Sequence, residues 1–407
     1  MIKSSKLSVK FANASKREQL DVFIAEYRRV VSVFVDLLWM DEKIPCLLPS
    51  DTTSKIDSWL SARAVQCAGK QASGIVRGTR KKQEKRLFMI NKLLGSNLIK
   101  KAKKLQGIYD RVVTSKPSIA TVNPELDGRF IKINTKNNTS FDIWLTISSL
   151  GNKLKLVLPL KRSKHFNELD SKGAIKAGVR LGPSAVTFMF DLPDVPKKEQ
   201  GAVLGIDIGL KSVLSCSDGV ASYRDTHGHD LDSILQVMTR KKKGSLGFKR
   251  SESHRKNYIN WSINQLNLRN YKEVRLENIK HLRRGRRSSS LLSHWTYTEI
   301  FDKLKSKCEE QGVLVTQISA TYTSQRCSAC GWVRKSNRKG KLFRCGSCSF
   351  EHDADLNAAK NIALPLIGIP KQQRLLQANR AGFYWLVEGQ EPIVPVTHKM
   401  NTLHKFS

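Results

Sequence analysis

Three carboxylates and four thiols sit where an ordinary fold has little use for them. Asp207 closes the apolar run Ala202-Val203-Leu204-Gly205-Ile206 and is followed by Ile208-Gly209. A carboxylate ending a buried-type strand is costly to desolvate unless something pairs with it. Glu277 repeats the pattern behind Val274-Arg275-Leu276, and Asp355 lies in His352-Asp353-Ala354-Asp355-Leu356-Asn357, where a helix should start. Singly, each has an ordinary explanation. Asp207 can be a turn residue, Glu277 an ion-pair partner, Asp355 an N-cap or first-turn acid. Together they fit phosphodiester hydrolysis, in which carboxylates from separate strands and a helix hold two divalent ions about 3.5–4 Å apart. Mg²⁺, or Mn²⁺ in its place, suits such hard oxygen ligands. Asp353 is a weaker candidate, because two positions from Asp355 on a helix it would point away from it.

The thiols form two knuckles, Cys327-Ser328-Ala329-Cys330 and Cys345-Gly346-Ser347-Cys348, with fourteen residues between them. That spacing is compatible with a zinc ribbon, and four thiolates close the coordination sphere, so one structural Zn²⁺ is expected. A redox pair is the weaker reading, since there are two knuckles. The intervening loop carries Arg334, Lys335, Arg338, Lys339 and Lys341. The remaining cysteines, Cys46, Cys67, Cys216 and Cys308, read as small buried hydrophobes.

The elements that must position these groups can be read from periodicity. Residues 3–11 alternate as a strand. Ser15-Lys16-Arg17-Glu18 has the form of a capping box, and Leu20, Phe23, Ile24, Tyr27, Val31, Phe34 and Leu38 recur behind it at helical spacing. Further cationic helices are expected over 51–113. Past Pro117, short alternating runs separated by Asn, Gly and Pro predict antiparallel strands over 118–195. From Gly201, strands alternate with helices: strands at 202–206, 212–217, 274–276 and 313–318, helices over much of 231–270 and over 295–311. That alternation indicates an α/β layer structure.

The chain carries 71 Lys and Arg against 35 Asp and Glu, a formal charge of +36 over 407 residues. A polyanion is the natural partner for such an excess, because binding releases the cations condensed on its phosphates. Charge alone does not separate an enzyme from a passive binder. No stretch reaches eighteen uninterrupted apolar residues, so no membrane span is expected, and the N-terminus lacks the apolar region of a secretory signal, which points to the cytosol.

The order Gly-Ile-Asp-x-Gly, a Leu-Glu-Asn strand end, Tyr322-Thr323-Ser324-Gln325-x-Cys-x-x-Cys-Gly, a second Cys-x-x-Cys, then Asp-x-Asp-x-Asn-Ala-Ala-x-Asn-Ile resembles the TnpB family. These proteins are encoded by bacterial insertion sequences and are relatives of the compact type V CRISPR effectors. The motifs span about residues 203–363. The resemblance implies a multidomain α+β protein and an RNA-guided DNA endonuclease. Its RuvC-like (RNase H-type) α/β nuclease domain would cover 201–320 and 353–370, with a zinc ribbon inserted at 321–352. A wedge-type β-barrel at 1–12 and 118–195, interrupted by a helical recognition domain at 13–117, would precede it. It further implies Asp207, Glu277 and Asp355 as the catalytic metal ligands and Cys327, Cys330, Cys345 and Cys348 as the zinc ligands. Guide RNA and double-stranded target DNA would be the partners, in a monomeric ribonucleoprotein. A type V effector with an array-derived guide, or a guide-dependent DNA-binding repressor that does not cleave, are the alternatives. Three features depart from the family pattern: Ala354 stands where an arginine is common, the helical segment between Asp207 and Glu277 is short, and the tail after Ile362 contains a Phe383-Tyr384-Trp385 cluster without a counterpart.

Overall fold

The computed structural model describes residues 1–135, 139–209, 212–222, 224–279, 296–366 and 382–387. The chain divides into two compact units, Met1–Asp194 and Val195–Ser407.

In the first unit, strand β1 (Ile2–Ser8) is followed by four helices, α1 (Ala14–Trp39), α2 (Ser50–Ser54), α3 (Ala62–Gly95) and α4 (Ile99–Val112). The seven apolar positions expected on α1 are all buried, together with Val30 and Val35. Its cap differs from expectation. Asn13, not Ser15, is the N-cap, and its side chain accepts from the Lys16 amide at 2.9 Å. The early turns of α3 bury Ala64, Val65, Ala68, Ala72 and Val76. Farther along, Arg77, Lys81, Lys82 and Lys85 are exposed, as are Lys100, Lys101, Lys103 and Lys104 of α4. Seven antiparallel strands complete this unit: β1, β2 (Glu125–Asp127), β3 (Ile131–Asn134), β4 (Ile143–Ile147), β5 (Leu156–Leu160), β6 (Ala174–Leu181) and β7 (Ala185–Asp191), with α5 (Lys164–Asp170) before β6. They form two sheets, ordered β1-β7-β6-β2 and β3-β4-β5. The N-terminal strand therefore pairs with residues nearly two hundred positions away, Ile2 opposite Asp191.

The second unit is built on a sheet ordered β11-β10-β8-β9, from β8 (Ala202–Asp207), β9 (Ser215–Cys216), β10 (Tyr271–Glu277) and β11 (Leu314–Ile318). Strands β8, β10 and β11 run parallel, and β9 returns antiparallel to β8. The second strand is shorter than the expected 212–217, because the Ser217–Gly219 turn, with Gly219 at φ +92°, folds the chain back at once. Alternation sorts the sheet's residues between its faces. Leu204, Ile206, Val274 and Leu276 are buried with apolar residues of α6 (Leu231–Thr239), α7 (Leu246–Asn264) and α8 (Tyr297–Glu310). On the other face lies α9 (Ala354–Ala363), and the approach is close: a Cβ at Gly205 would stand 2.1 Å from the Ala359 carbonyl oxygen. The cysteine-bearing segment adds β12 (Trp332–Val333), β13 (Arg338–Lys339), β14 (Leu342–Arg344) and β15 (Glu351–Asp353). A last strand, β16 (Phe383–Tyr384), pairs with β12.

Of the single cysteines, Cys216 and Cys308 are buried as expected, Cys67 is half-buried, and Cys46 is exposed, where Arg77 donates to its sulfur at 2.7 Å. Most of the 371–407 tail and residues 367–370 lie outside the described residues. Among the described residues, no helix is long and apolar enough to cross a membrane.

Candidate active site

The two knuckles bring four thiols together. Sγ of Cys327 is 3.8 Å from that of Cys348, and Sγ of Cys330 is 3.6 Å from that of Cys345. All four sulfurs lie within 4.8 Å of one another. A disulfide needs about 2.05 Å. Tetrahedral zinc at about 2.3 Å from each sulfur sets the sulfurs roughly 3.8 Å apart, so the set fits one structural metal ion. Tight turns shape the knuckles: Gly331, at φ +79°, follows the first.

The carboxylates come from three elements. Asp207 and Glu277 end the adjacent parallel strands β8 and β10, whose last recorded pair is Ile206 opposite Leu276. Asp207 shares a face with Gly205, two positions back. Asp355 lies one helical turn before Ala359, the residue that packs on Gly205. The close contact between Gly205 and α9 therefore sets the helix start beside the strand ends. The electrostatics report the same convergence. Burial, then Glu277 and then Asp355, push the Asp207 carboxyl up to about 8. Burial also raises Glu277, against the opposing pull of the Thr323 hydroxyl bond and Arg338. These oxygens are spread more widely than the thiols, which are the only such cluster within 4.8 Å among the described residues.

Asp353 has a different task. It is the N-cap of α9, accepting from the amides of Asp355 at 2.9 Å and Leu356 at 3.0 Å. That leaves Asp355 in the first turn, its carboxyl not used in capping.

Several residues that the sequence reading passed over complete the site. Arg338, from the loop between the knuckles, donates to Asp355 Oδ1 at 2.6 Å, and Lys341 stands 3.9 Å from Oδ2. Arg338 also lowers the proton affinity of Asp207 and Glu277. It was seen as one of a run of loop cations, and only the pairing of β14 with β15 (Phe343 opposite His352) shows that the loop folds back on α9. Thr323 donates its hydroxyl to Glu277 Oε1. Tyr297 donates to the Glu277 carbonyl at 2.6 Å and accepts from Gln317 at 2.9 Å. Asn357 and Asn361, the two asparagines of the terminal motif, are fully buried and bind the cysteine segment to α9 through the Arg326 carbonyl, at 2.8 and 2.7 Å. Ala354 is fully buried among Cys327, Cys330, Phe343 and Cys345, so the arginine common at this position would have to displace that packing.

Residues 297–362 match the family described as Cas12f1-like, TNB domain. The chain is 33% identical over 141 residues to the CRISPR-associated endodeoxyribonuclease Cas12f1 of Sulfoacidibacillus thermotolerans, covering 34% of this chain and 32% of that protein. A second protein of the same name, from an uncultured archaeon, is 29% identical over 240 residues, 49% of this chain and 45% of that one. The matched segments thus span less than half the length of these relatives. Among solved structures, that of the mini-RNA-guided endonuclease CRISPR-Cas_phi3 superimposes with a TM-score of 0.50 at 11% identity, over 89% of this chain and 92% of that one, a likeness of fold alone. The four thiols and the Asp-x-Asp-x-Asn helix both lie inside the stretch that matches the Cas12f1-like TNB domain, and it is to these compact effectors that the chain is similar.

Proposed function

We propose that this protein is an RNA-guided, metal-dependent DNA endonuclease, with Asp207, Glu277 and Asp355 as the ligands of two Mg²⁺ ions. The observation that carries the reading is the convergence of these three acids at the C-terminal ends of two parallel strands and the start of one helix, on a sheet whose order β9-β8-β10-β11 suits a RuvC-like, RNase H-type domain. When bound, the ions supply an activated water and a Lewis acid for the leaving oxygen. The chain's own residues do the rest. Gly205 admits α9 so that Asp355 reaches the strand ends, Thr323 and Tyr297 fix the side chain and main chain of Glu277, and Arg338 offsets the crowded negative charge. Cys327, Cys330, Cys345 and Cys348 would hold one Zn²⁺ that keeps the Arg338 loop folded.

The cationic α3 and α4 would grip the guide RNA, and the two antiparallel sheets of the first unit would serve as the wedge-type domain. Guide–target pairing would read the sequence, while the protein reads backbone shape and a short flanking motif. Three relatives are named CRISPR-associated, which favours a type V effector. A Streptomyces pristinaespiralis protein, 25% identical over 202 residues, is named a putative RNA-guided DNA endonuclease without that association. The chemistry is the same in both readings.

The test is cleavage of duplex DNA by the purified protein with its copurifying RNA. Cutting should require Mg²⁺, and Asp207→Ala, Glu277→Ala and Asp355→Ala should each abolish it while DNA binding persists. Wild-type-like cutting by any one of them removes that residue from the site.

A further inference from the structure

The Phe383-Tyr384-Trp385 cluster is far from the carboxylates in sequence, yet a continuous chain of hydrogen bonds joins the two. Strand β16 pairs with β12 directly after the first knuckle, Tyr384 opposite Trp332 and Phe383 opposite Val333. The Trp385 amide extends the pairing to the Gly331 carbonyl at 2.9 Å. Tyr384 reaches the second knuckle, its hydroxyl 2.6 Å from Ser347 Oγ. The rings interlock edge to face, Trp332 with Tyr384 at 4.8 Å and Tyr322 with Phe383 at 5.6 Å. Trp385 is 6% exposed. Residues 382–387 thus tie the two knuckles together from outside.

The inward side of this strap is an arginine. Arg326 is fully buried, and its Nε donates to the Trp385 carbonyl at 2.7 Å. Its Nη1 donates to Asn361 Oδ1 at 2.6 Å and to the Cys327 carbonyl at 3.2 Å. Asn361 in turn donates to the Thr323 carbonyl at 2.9 Å. The Thr323 hydroxyl ends the chain on Glu277. A buried guanidinium is held only where its donors are satisfied, so removing the strap takes away the Trp385 acceptor of Nε and weakens the hold on Arg326, although its bonds to Asn361 and the Cys327 carbonyl remain. The network would then relax, and Thr323 would move with it. The main chain of Glu277 would stay in place, because Tyr297 and the pairing of β10 with β8 and β11 do not depend on the strap. Its carboxylate orientation is what the network adds.

We propose that residues 382–387 form a built-in strap of the cysteine module and that Trp385, Arg326 and Thr323 are positioning residues which orient the Glu277 carboxylate for metal binding. This rests on the reading of Asp207, Glu277 and Asp355 as a metal centre. Groups that hold a metal ligand in place commonly contribute 10–100-fold to metal affinity.

The test is Mn²⁺ binding by the zinc-loaded full chain, followed by electron paramagnetic resonance and calorimetry without nucleic acid, with zinc content and circular dichroism measured beside it. Thr323→Val keeps the shape and removes the hydroxyl. It should weaken Mn²⁺ binding at least tenfold with zinc content and fold unchanged, and Thr323→Ser should restore binding. Trp385→Ala should weaken it similarly. If that variant loses zinc or structure, Tyr384→Phe tests the same strap by deleting one hydroxyl, with a drop of about threefold expected. Wild-type Mn²⁺ affinity in Thr323→Val, or in a folded strap variant, overturns the proposal. Asp207→Asn is the control: if it leaves Mn²⁺ binding unchanged, the metal-centre reading itself fails and the strap's role falls with it.

Discussion

Asp207 keeps its proton to unusually high pH because burial and two neighbouring acids oppose its charge. The sign of the consequence is fixed by linkage. The folded chain holds a proton that the unfolded chain gives up near pH 4, so without divalent ions stability falls as pH rises from about 4 to about 8, then levels off. Asp207→Asn should flatten that fall and stabilise the divalent-free protein at pH 8, while abolishing cleavage. Calorimetry across pH in Mg²⁺-free buffer checks this; an unchanged slope contradicts the burial argument. The same substitution that stabilises should also inactivate, a pattern expected of a functional acid rather than a structural one. Asp207, Glu277 and Asp355 were legible because carboxylates closing apolar strands break the pattern around them. Thr323 and Tyr297 were not, since a hydroxyl in a polar loop and a tyrosine at a helix start break no pattern. Only their three-dimensional neighbours give them a role.

At the scale of elements, the approach of α9 to β8 decides whether three acids meet. Gly205→Ala would drive a methyl group into the Ala359 carbonyl, and backbone cannot yield as a side chain can. A loss of about 2–4 kcal/mol in stability is expected, as for other overpacked core sites, with cleavage falling to background because Asp355 is displaced. Retained activity would mean that α9 does not set the site. The knuckles give a second prediction. Metal analysis should find about one zinc per chain, and Cys345→Ser should lower it and reduce cleavage, since β15, paired with β14, leads from that knuckle into the helix bearing Asp355. Zinc-free protein, purified without chelator and fully active, would contradict this. The parallel strands, the α1 stripe and the knuckle spacing could be read locally, from periodicity and motif. The short β9 and the fold-back of the Arg338 loop could not, because strand pairing is settled by tertiary contacts, while the cap of α1 is a local choice between two good capping residues, Asn13 and Ser15.

At the scale of the whole molecule, charge is the property that needs an explanation. An excess of +36 is compatible with any nucleic acid, and both guided and unguided binding would weaken with salt. The exposed cations of α3 and α4 lie outside the unit that carries the acids. An unguided nuclease could use that first unit to hold duplex DNA, whereas in the proposed function it holds the guide RNA. The direct measurement is reprogramming. The RNA that copurifies with the full chain is sequenced, its terminal segment is replaced, and the reconstituted complex is given plasmids matching the old or the new segment beside the same flanking motif, with Mg²⁺. The expected result is cleavage that moves to the new match and disappears in Asp207→Ala. Cleavage that persists after RNase treatment, at sequences unrelated to any bound RNA, would contradict guidance and leave an unguided metal-dependent nuclease.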